Sequence, residues 1–329
     1  ETPMDETVNV PAKQPKKKKK KKGGGFLGRL IRRFFLLVFT VVILAVAALL
    51  LTMNMIFNGP SPAAQEVLTM SLIEASATKW VPALFIGEER VAEIRTSVNQ
   101  ELPQDVSSST KVVIQKGSAI STNSDEWAKD TDGIRIEHIS GETYNAHIMI
   151  IRDPAQIYMA TSTEGAFSTD IPGTRIHNEI VDQGAIAAIN AGAFNDDGSA
   201  NAYVGSIPAG LLIVNGEVKS NKFHNLVPEE GFAGFTFDNI LVVAKSMTPE
   251  QAKELNIRDG CEFGPVLIMN SVVNQEAYNT NSGLNPRTAL GQRADGAVLI
   301  LVIDGRQPNS LGASFLDIIE VMQEYGAVN

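Results

Sequence analysis

The hydrophobic pattern divides the chain sharply. Phe34–Phe57, FFLLVFTVVILAVAALLLTMNMIF, is twenty-four residues with no charge, and only Thr40, Thr52 and Asn54 in it are polar. About 20 apolar residues cross a bilayer core as a helix. The run has no polar face, as a core helix would, and it exceeds the roughly 7–15-residue centre of a signal peptide. It predicts an uncleaved transmembrane helix. Asn58-Gly59-Pro60-Ser61-Pro62 then breaks the helix.

Two helical patches follow. One covers 63–77, with Val67, Leu68, Met70, Leu72 and Ile73. The other covers 88–98, with Val91, Ile94 and Val98 at helical spacing. VSSST at 106–110 reads as a hinge. From Asp132 the period drops to two. GIRIEHIS reads as a strand with Ile134, Ile136 and Ile139 on one face, and AHIMIIRDP as the next strand. Further strands are expected at 156–160, 185–189, 210–214, 234–237, 240–244, 266–269 and 297–303. Helices are expected at 248–255 and 314–325, and Asn215-Gly216 gives the strongest hairpin signal.

Runs of hairpins with occasional helices predict an α+β fold, a mixed β-sheet core with flanking helices. The expected organisation is a basic tail at 1–33, a membrane helix at 34–57, a stalk or linker at 58–131 and a folded domain at 132–329.

Charge sets the orientation. Before Phe34 there are eleven Lys and Arg against three acids, including the unbroken run Lys16–Lys22. From Phe34 onward there are seventeen bases against thirty-four acids. The basic flank is expected in the cytoplasm and the domain outside the cell membrane, as a single-pass protein. The acidic domain excludes nucleic acid as its partner, because phosphate-backbone affinity needs clustered cations. The lone cysteine, Cys261, rules out an intramolecular disulfide and reads as a small buried hydrophobe. The four histidines lack HxH or HExxH spacing, so no zinc site, and no cofactor, is expected. His147 and His177 read as structural. The run NDDGS at 195–199 has its glycine too early for a calcium loop.

Four polar stretches abut expected strands: Asn190-Ala191-Gly192 with its loop, Phe263-Gly264-Pro265, Asn285-Pro286-Arg287-Thr288-Ala289, and Asp304-Gly305-Arg306-Gln307. Strand ends present reactive groups on a rigid frame. An arginine fork grips phosphate or carboxylate, so Arg287 and Arg306 with Asp304 suit an anionic substrate beside an acid or base. Ser314 with Asp317 has the spacing of a capping box for the last helix.

Taken together, INAGAF, Pro208-Ala209-Gly210, FGPVLI, NPRTALGQ and VLILVIDGRQ with SLGASFLDIIEVMQEYGAVN resemble the phosphodiester glycosidase family, across roughly 132–329. The resemblance implies hydrolysis of a sugar-1-phosphodiester, N-acetylglucosamine-like, at the anomeric carbon of a cell-surface or exopolysaccharide glycan. It implies Asp304, Arg306 and Arg287 as catalytic residues. Asn190, Gly192, Thr288, Gly305 and Gly264 would hold substrate. A non-catalytic glycan-binding or assembly protein on the same fold is the alternative. Two departures stand out. Ala193 follows NAG where relatives carry bulkier residues. Relatives also continue into an LDGGGS-like motif, so this chain, starting at Glu1 and stopping at Asn329, reads as a fragment truncated at both ends.

Overall fold

The computed structural model describes residues 26–75, 77–96, 106–108, 112, 130, 132–161, 167–168, 173–194, 207–222, 231–279 and 281–329. The lysine run, the NDDGS segment and most of the expected hinge lie outside these. Two compact units are formed, one ending at Met53 and one spanning Asn54–Asn329.

Helix α1 (Phe26–Phe57) provides one helix long and apolar enough to cross a membrane, and no part of its apolar window is buried. Its two threonines return their hydroxyls to the backbone, Thr40 Oγ1 to Leu36 O and Thr52 Oγ1 to Ala48 O. That removes their polar cost in an apolar surround. Helices α2 (Pro62–Ile73) and α3 (Val81–Thr96) follow, α3 being broken at Gly87. Ser61 caps α2 through Ala64 N, and Phe57 stacks on Phe85 at 5.0 Å.

Strands β1 (Ile134–Ser140) and β2 (Asn145–Ile151) form the hairpin read from the sequence. After them come the short α4 (Ile176–Asp182), β3 (Ala193–Phe194), and the hairpin of β4 (Pro208–Val214) with β5 (Glu217–Lys222) around Asn215-Gly216. Next are β6 (Phe232–Thr236), β7 (Leu241–Ala244), α5 (Pro249–Glu254) and β8 (Ile257–Glu262). The chain closes with the small hairpin β9 (Ile268–Met269) and β10 (Val272–Val273), then α6 (Gln275–Asn279), β11 (Arg287–Gln292), β12 (Val298–Ile303) and α7 (Phe315–Glu324).

One sheet has the order β1-β2-β12-β11, and a second runs β3-β4-β8-β6-β7 with β5 on β4. The α+β class is as expected from the sequence, with every described pairing antiparallel rather than mixed. Strand alternation sorts the core into layers. Ala146, Ile148 and Ile150 of β2 and Leu299, Leu301 and Ile303 of β12 pack with Phe315, Ile318, Ile319 and Met322 of α7. The opposite face of the same sheet packs Ile151 and Val298 against Phe235, Leu241 and Val243 of the second sheet. The far side of that sheet packs Leu211, Ile213 and Phe232 with Ala252 of α5.

Several expectations change. Residues 156–160 and 185–189 are not strands, and Ile186 is 82% exposed, so AIAAIN is not a buried strand. Strands β8 and β11 form where none was expected. Ile139 packs on the α7 side while Ile136 lies exposed on the other, since residues an odd number apart take opposite faces. Helices α2 and α3, within the expected 58–131 stalk or linker, contribute to the domain core. Met70 of α2 and Ile94 of α3 belong to the α7-side core. Val106 bridges to Ala244, while Ser107 accepts from Val243 N through Oγ and donates its own N–H to Val243 O. The expected hinge is, at these residues, an added edge on β7.

One buried side chain ties the two sheets together. Gln292, fully buried on β11, accepts from Leu241 N through Oε1 (2.7 Å) and donates through Nε2 to Asn239 O and Gly296 O (3.0 and 2.9 Å). Replacement by leucine keeps the volume but strands one amide and two carbonyls away from water. Gln292→Leu is expected to destabilise the domain by about 2–4 kcal/mol, read as a lowered midpoint in urea denaturation of the purified chain.

Candidate functional site

The face of the first sheet that meets the second sheet changes character along its length. Its innermost rung is Ile134, Ile151, Val298 and Gln292, and the next is Ile136, Met149, Ile300 and Leu290. Then come His138, His147, Val302 and Thr288. In the last rung Ser140 stands opposite Asn145, which accepts from Asp304 N. Apolar packing at one end thus gives way to a polar, open mouth. His138, His147, Val302 and Asp304 are all exposed there, and Thr288 is half-buried.

The mouth gathers part of the expected site. Thr288 Oγ1 donates to Asn190 Oδ1 at 2.9 Å, joining the NAG stretch to β11. Two residues on, the Gly192 N–H bonds the Cys261 thiol on β8, so Asn190–Gly192 spans from one sheet to the other. Asp304 leaves β12 on the same face as Val302 and Thr288. Gly305 passes so close to Pro286 that a Cβ would lie 2.4 Å from its nitrogen. Gly312, at φ +120°, presses equally hard on Asn285, where a Cβ would meet backbone atoms at 2.5 Å. These two contacts bring the NPRT, DGR and SLGAS stretches together.

Asn285 is the centre of that knot. Fully buried, it exchanges backbone bonds with Ala313, donates to Met70 O of α2 and accepts from Arg306 Nη2 at 3.1 Å. Arg306 is exposed, its backbone at φ +57°, with its N–H on Leu311 O. Ser310 supports the same turn, accepting from Asn145 N and donating to Asp304 O at 2.7 Å.

Arg287 does not join Asp304 and Arg306. It pairs with Ile303, one position out of phase with Thr288, so it projects to the opposite, α7 side of the sheet. There Nη1 contacts both carboxylate oxygens of Glu74 (2.7 and 2.9 Å), Nη2 donates to Ser282 O and Nε to Ala313 O. The guanidinium also lies 4.6 Å from the Phe315 ring centre. Every nitrogen is committed, and the residue acts as a bracket between α2, β11 and α7. Gly264, half-buried after β8, has no described bond to Asn190, Thr288 or Asp304.

His138 and His147 were not legible as site residues. They are nine positions apart in sequence, but the β1–β2 register sets them directly opposite, ring centres 5.1 Å apart and both exposed. His147, read from the sequence as structural, is exposed on the mouth face. The signal that could have found it is the alternation of AHIMII, which places His147 with Met149 and Ile151 and away from Ala146, Ile148 and Ile150.

At the far end of the sheet, a cleft of about 360 Å³ is lined by Arg135, Glu137, Ile150, Arg293, Glu324, Tyr325 and Gly326. Three of its polar side chains are paired: Arg135 to Asp130 at 2.7 Å, Arg293 to Asp295 at 3.1 Å, and Tyr325 Oη donating to Glu137 at 2.7 Å. Burial and the Glu137 carboxylate push the Tyr325 phenol up to about 12. Most polar groups at this end are paired with one another, whereas the Asp304 end presents exposed functional groups.

The domain is thus a two-sheet antiparallel α+β fold with a polar mouth bearing a carboxylate and an arginine. The sequence profile of the phosphodiester glycosidase family matches residues 183–329. The match takes in Asn190, Thr288, Asp304 and Arg306, but not His138 or His147. No curated protein matches the chain in sequence. Similar solved structures include the zebrafish N-acetylglucosamine-1-phosphodiester alpha-N-acetylglucosaminidase catalytic domain, auto-inhibited by its pro-peptide. It is 15% identical over 60% of this chain and 67% of that one, at a TM-score of 0.47. A hypothetical protein from Synechocystis is also 15% identical, over 60% of this chain and 54% of its own, at a TM-score of 0.39.

Two outcomes follow from this geometry. Arg287→Ala removes the contacts to the Glu74 carboxylate, Ser282 O and Ala313 O, and is expected to cost about 2–4 kcal/mol of stability. Arg287→Lys recovers little of it, because a point charge cannot serve three directions; denaturation midpoints of the two variants check both statements. Burial pushes the Cys261 thiol up to about 11, against the weaker opposing pull of the Gly192 N–H. The thiol is thus held protonated at neutral pH, so iodoacetamide at pH 8 is expected to leave the native chain unlabelled and to label it fully after denaturation, as read by intact mass.

Proposed function

We propose that this chain is a phosphodiester glycosidase, hydrolysing a sugar-1-phosphodiester, N-acetylglucosamine-like, at the anomeric carbon of a cell-surface or exopolysaccharide glycan. The observation that carries the reading is Asp304. It is an exposed carboxylate at the mouth, beside the Thr288–Asn190 bond and within the segment matched to the family. In this reading Asp304 serves the anomeric centre as base or nucleophile. The leaving group is already a phosphate, so it needs charge stabilisation more than protonation, and Arg306 supplies it. Asn190 and Thr288 orient the sugar, while Gly192, Gly305 and Gly264 shape the backbone around it. Arg287 acts from the other face, holding β11 in place through Glu74 rather than touching phosphate.

The same reading anchors the protein by α1 in the cell membrane, with the basic flank inside and the domain outside. The apolar length of α1 and the eleven bases before Phe34 support this.

A glycan-binding protein without turnover is the second reading. It is favoured by the presence of a single carboxylate, Asp304, on the two polar rungs among the described residues. Glycosidases ordinarily work with two.

The deciding experiment measures release of free sugar from an α-N-acetylglucosamine-1-phosphodiester by the full chain in detergent. Asp304→Asn is expected to lower kcat/KM on the order of 10³-fold or more, and Arg306→Ala on the order of 10²-fold, both without loss of fold. Saturable binding without release moves the assignment to the binding protein. Release untouched by Asp304→Asn removes that residue from the mechanism.

A further inference from the structure

We infer that His138 and His147 form a site for one divalent transition-metal ion of the zinc class at the mouth of the two-sheet domain. The pair sits directly across the β1–β2 register with ring centres 5.1 Å apart. An ion bound to one nitrogen of each ring at about 2.0–2.1 Å, with tetrahedral angles, sets ring centres roughly 5 Å apart. The backbone therefore already holds the spacing that chelation requires.

Both rings are exposed and open to an entering ion. Among the described residues, their recorded contact is with each other, and neither ring has a hydrogen bond or ion pair that would compete for its nitrogens. Imidazole suits zinc, copper and nickel far better than magnesium or calcium, which take oxygen ligands. Among the described residues no group of three or more His, Cys, Asp or Glu could hold a metal. The described residues thus supply two ligands, and water or an anion can take the remaining positions.

That incompleteness matters because of where the pair stands. His147 is opposite Val302, which is opposite Thr288, and Asp304 lies one rung further along the same face. Open coordination positions at this place lie on the face that carries Thr288 and Asp304. The two histidines precede residue 183, outside the segment matched to the glycosidase family. The inference stands on the hairpin geometry alone and does not need the glycosidase reading.

The test is direct binding. Zinc chloride is titrated into the untagged full chain in detergent, in competition with a chromophoric chelator, with cobalt(II) absorption as a second readout. One ion per chain is expected. His138→Gln and His147→Gln should each weaken it at least about tenfold, and His177→Gln should leave it unchanged. Neither ring is buried, so the variants keep their core, which an unchanged melting temperature checks. Binding that persists in both variants, or no binding at micromolar zinc, overturns the assignment.

Discussion

The register of β2, β12 and β11 is the constraint on which the site depends. It places His147, Val302 and Thr288 in one line across the sheet, and Ala146, Ile303 and Arg287 in the next line on the other face. A slip of one residue would exchange the two sets and bury a histidine among the isoleucines of the α7-side core. That cost is what fixes the register. Leu299, Leu301 and Ile303 are all fully buried or nearly so against α7, and a one-residue slip would turn all three away from it. The polar mouth is therefore positioned by apolar side chains pointing away from it.

The second support is the knot around Asn285. A buried amide with partners on three elements must find them all or leave polar atoms in a dry place. Asn285 finds α2 at Met70, the strap before α7 at Ala313, and the DGR turn at Arg306. Helix α2 adds Glu74 to Arg287 and Ser71 Oγ to Leu284 N. The segment just after the apolar helix thus helps to hold the strand that carries Thr288. What looks from the sequence like a spacer is a structural member of the domain.

Local patterns were read well where they were strong. The Asn215-Gly216 hairpin, the helix near 248–255, the Ser314 cap and the apolar run VLILVI follow from short-range chemistry, and each forms. RTALGQ at 287–292 has neither the alternation nor the β-branched density that marks a strand in sequence. It is a strand because β12 offers it a partner. The AIAAIN stretch misled in the opposite direction, as small apolar residues that stay open to solvent. For the site, the motif residues Asn190, Thr288, Asp304 and Arg306 could be named but not sorted from Arg287. Sorting them required strand phase, and pairing the histidines required register, neither of which sequence spacing contains.

The two arginines make the difference concrete. From Phe34 onward acids outnumber bases by seventeen, so an anionic ligand meets a repulsive background. Salt screens that background beyond about 8–10 Å, which leaves the decision to cations close at hand. Arg287 faces the Glu74 carboxylate, and its charge is cancelled where it stands. Arg306 donates instead to the neutral amide oxygen of Asn285, which orients the guanidinium without neutralising it. A hydrogen bond to a neutral acceptor keeps the full positive charge available for a second, charged one. Of the two, Arg306 therefore combines a fixed direction with a charge that no described residue cancels, at the exposed end of β12, which is the combination the proposed phosphate contact requires.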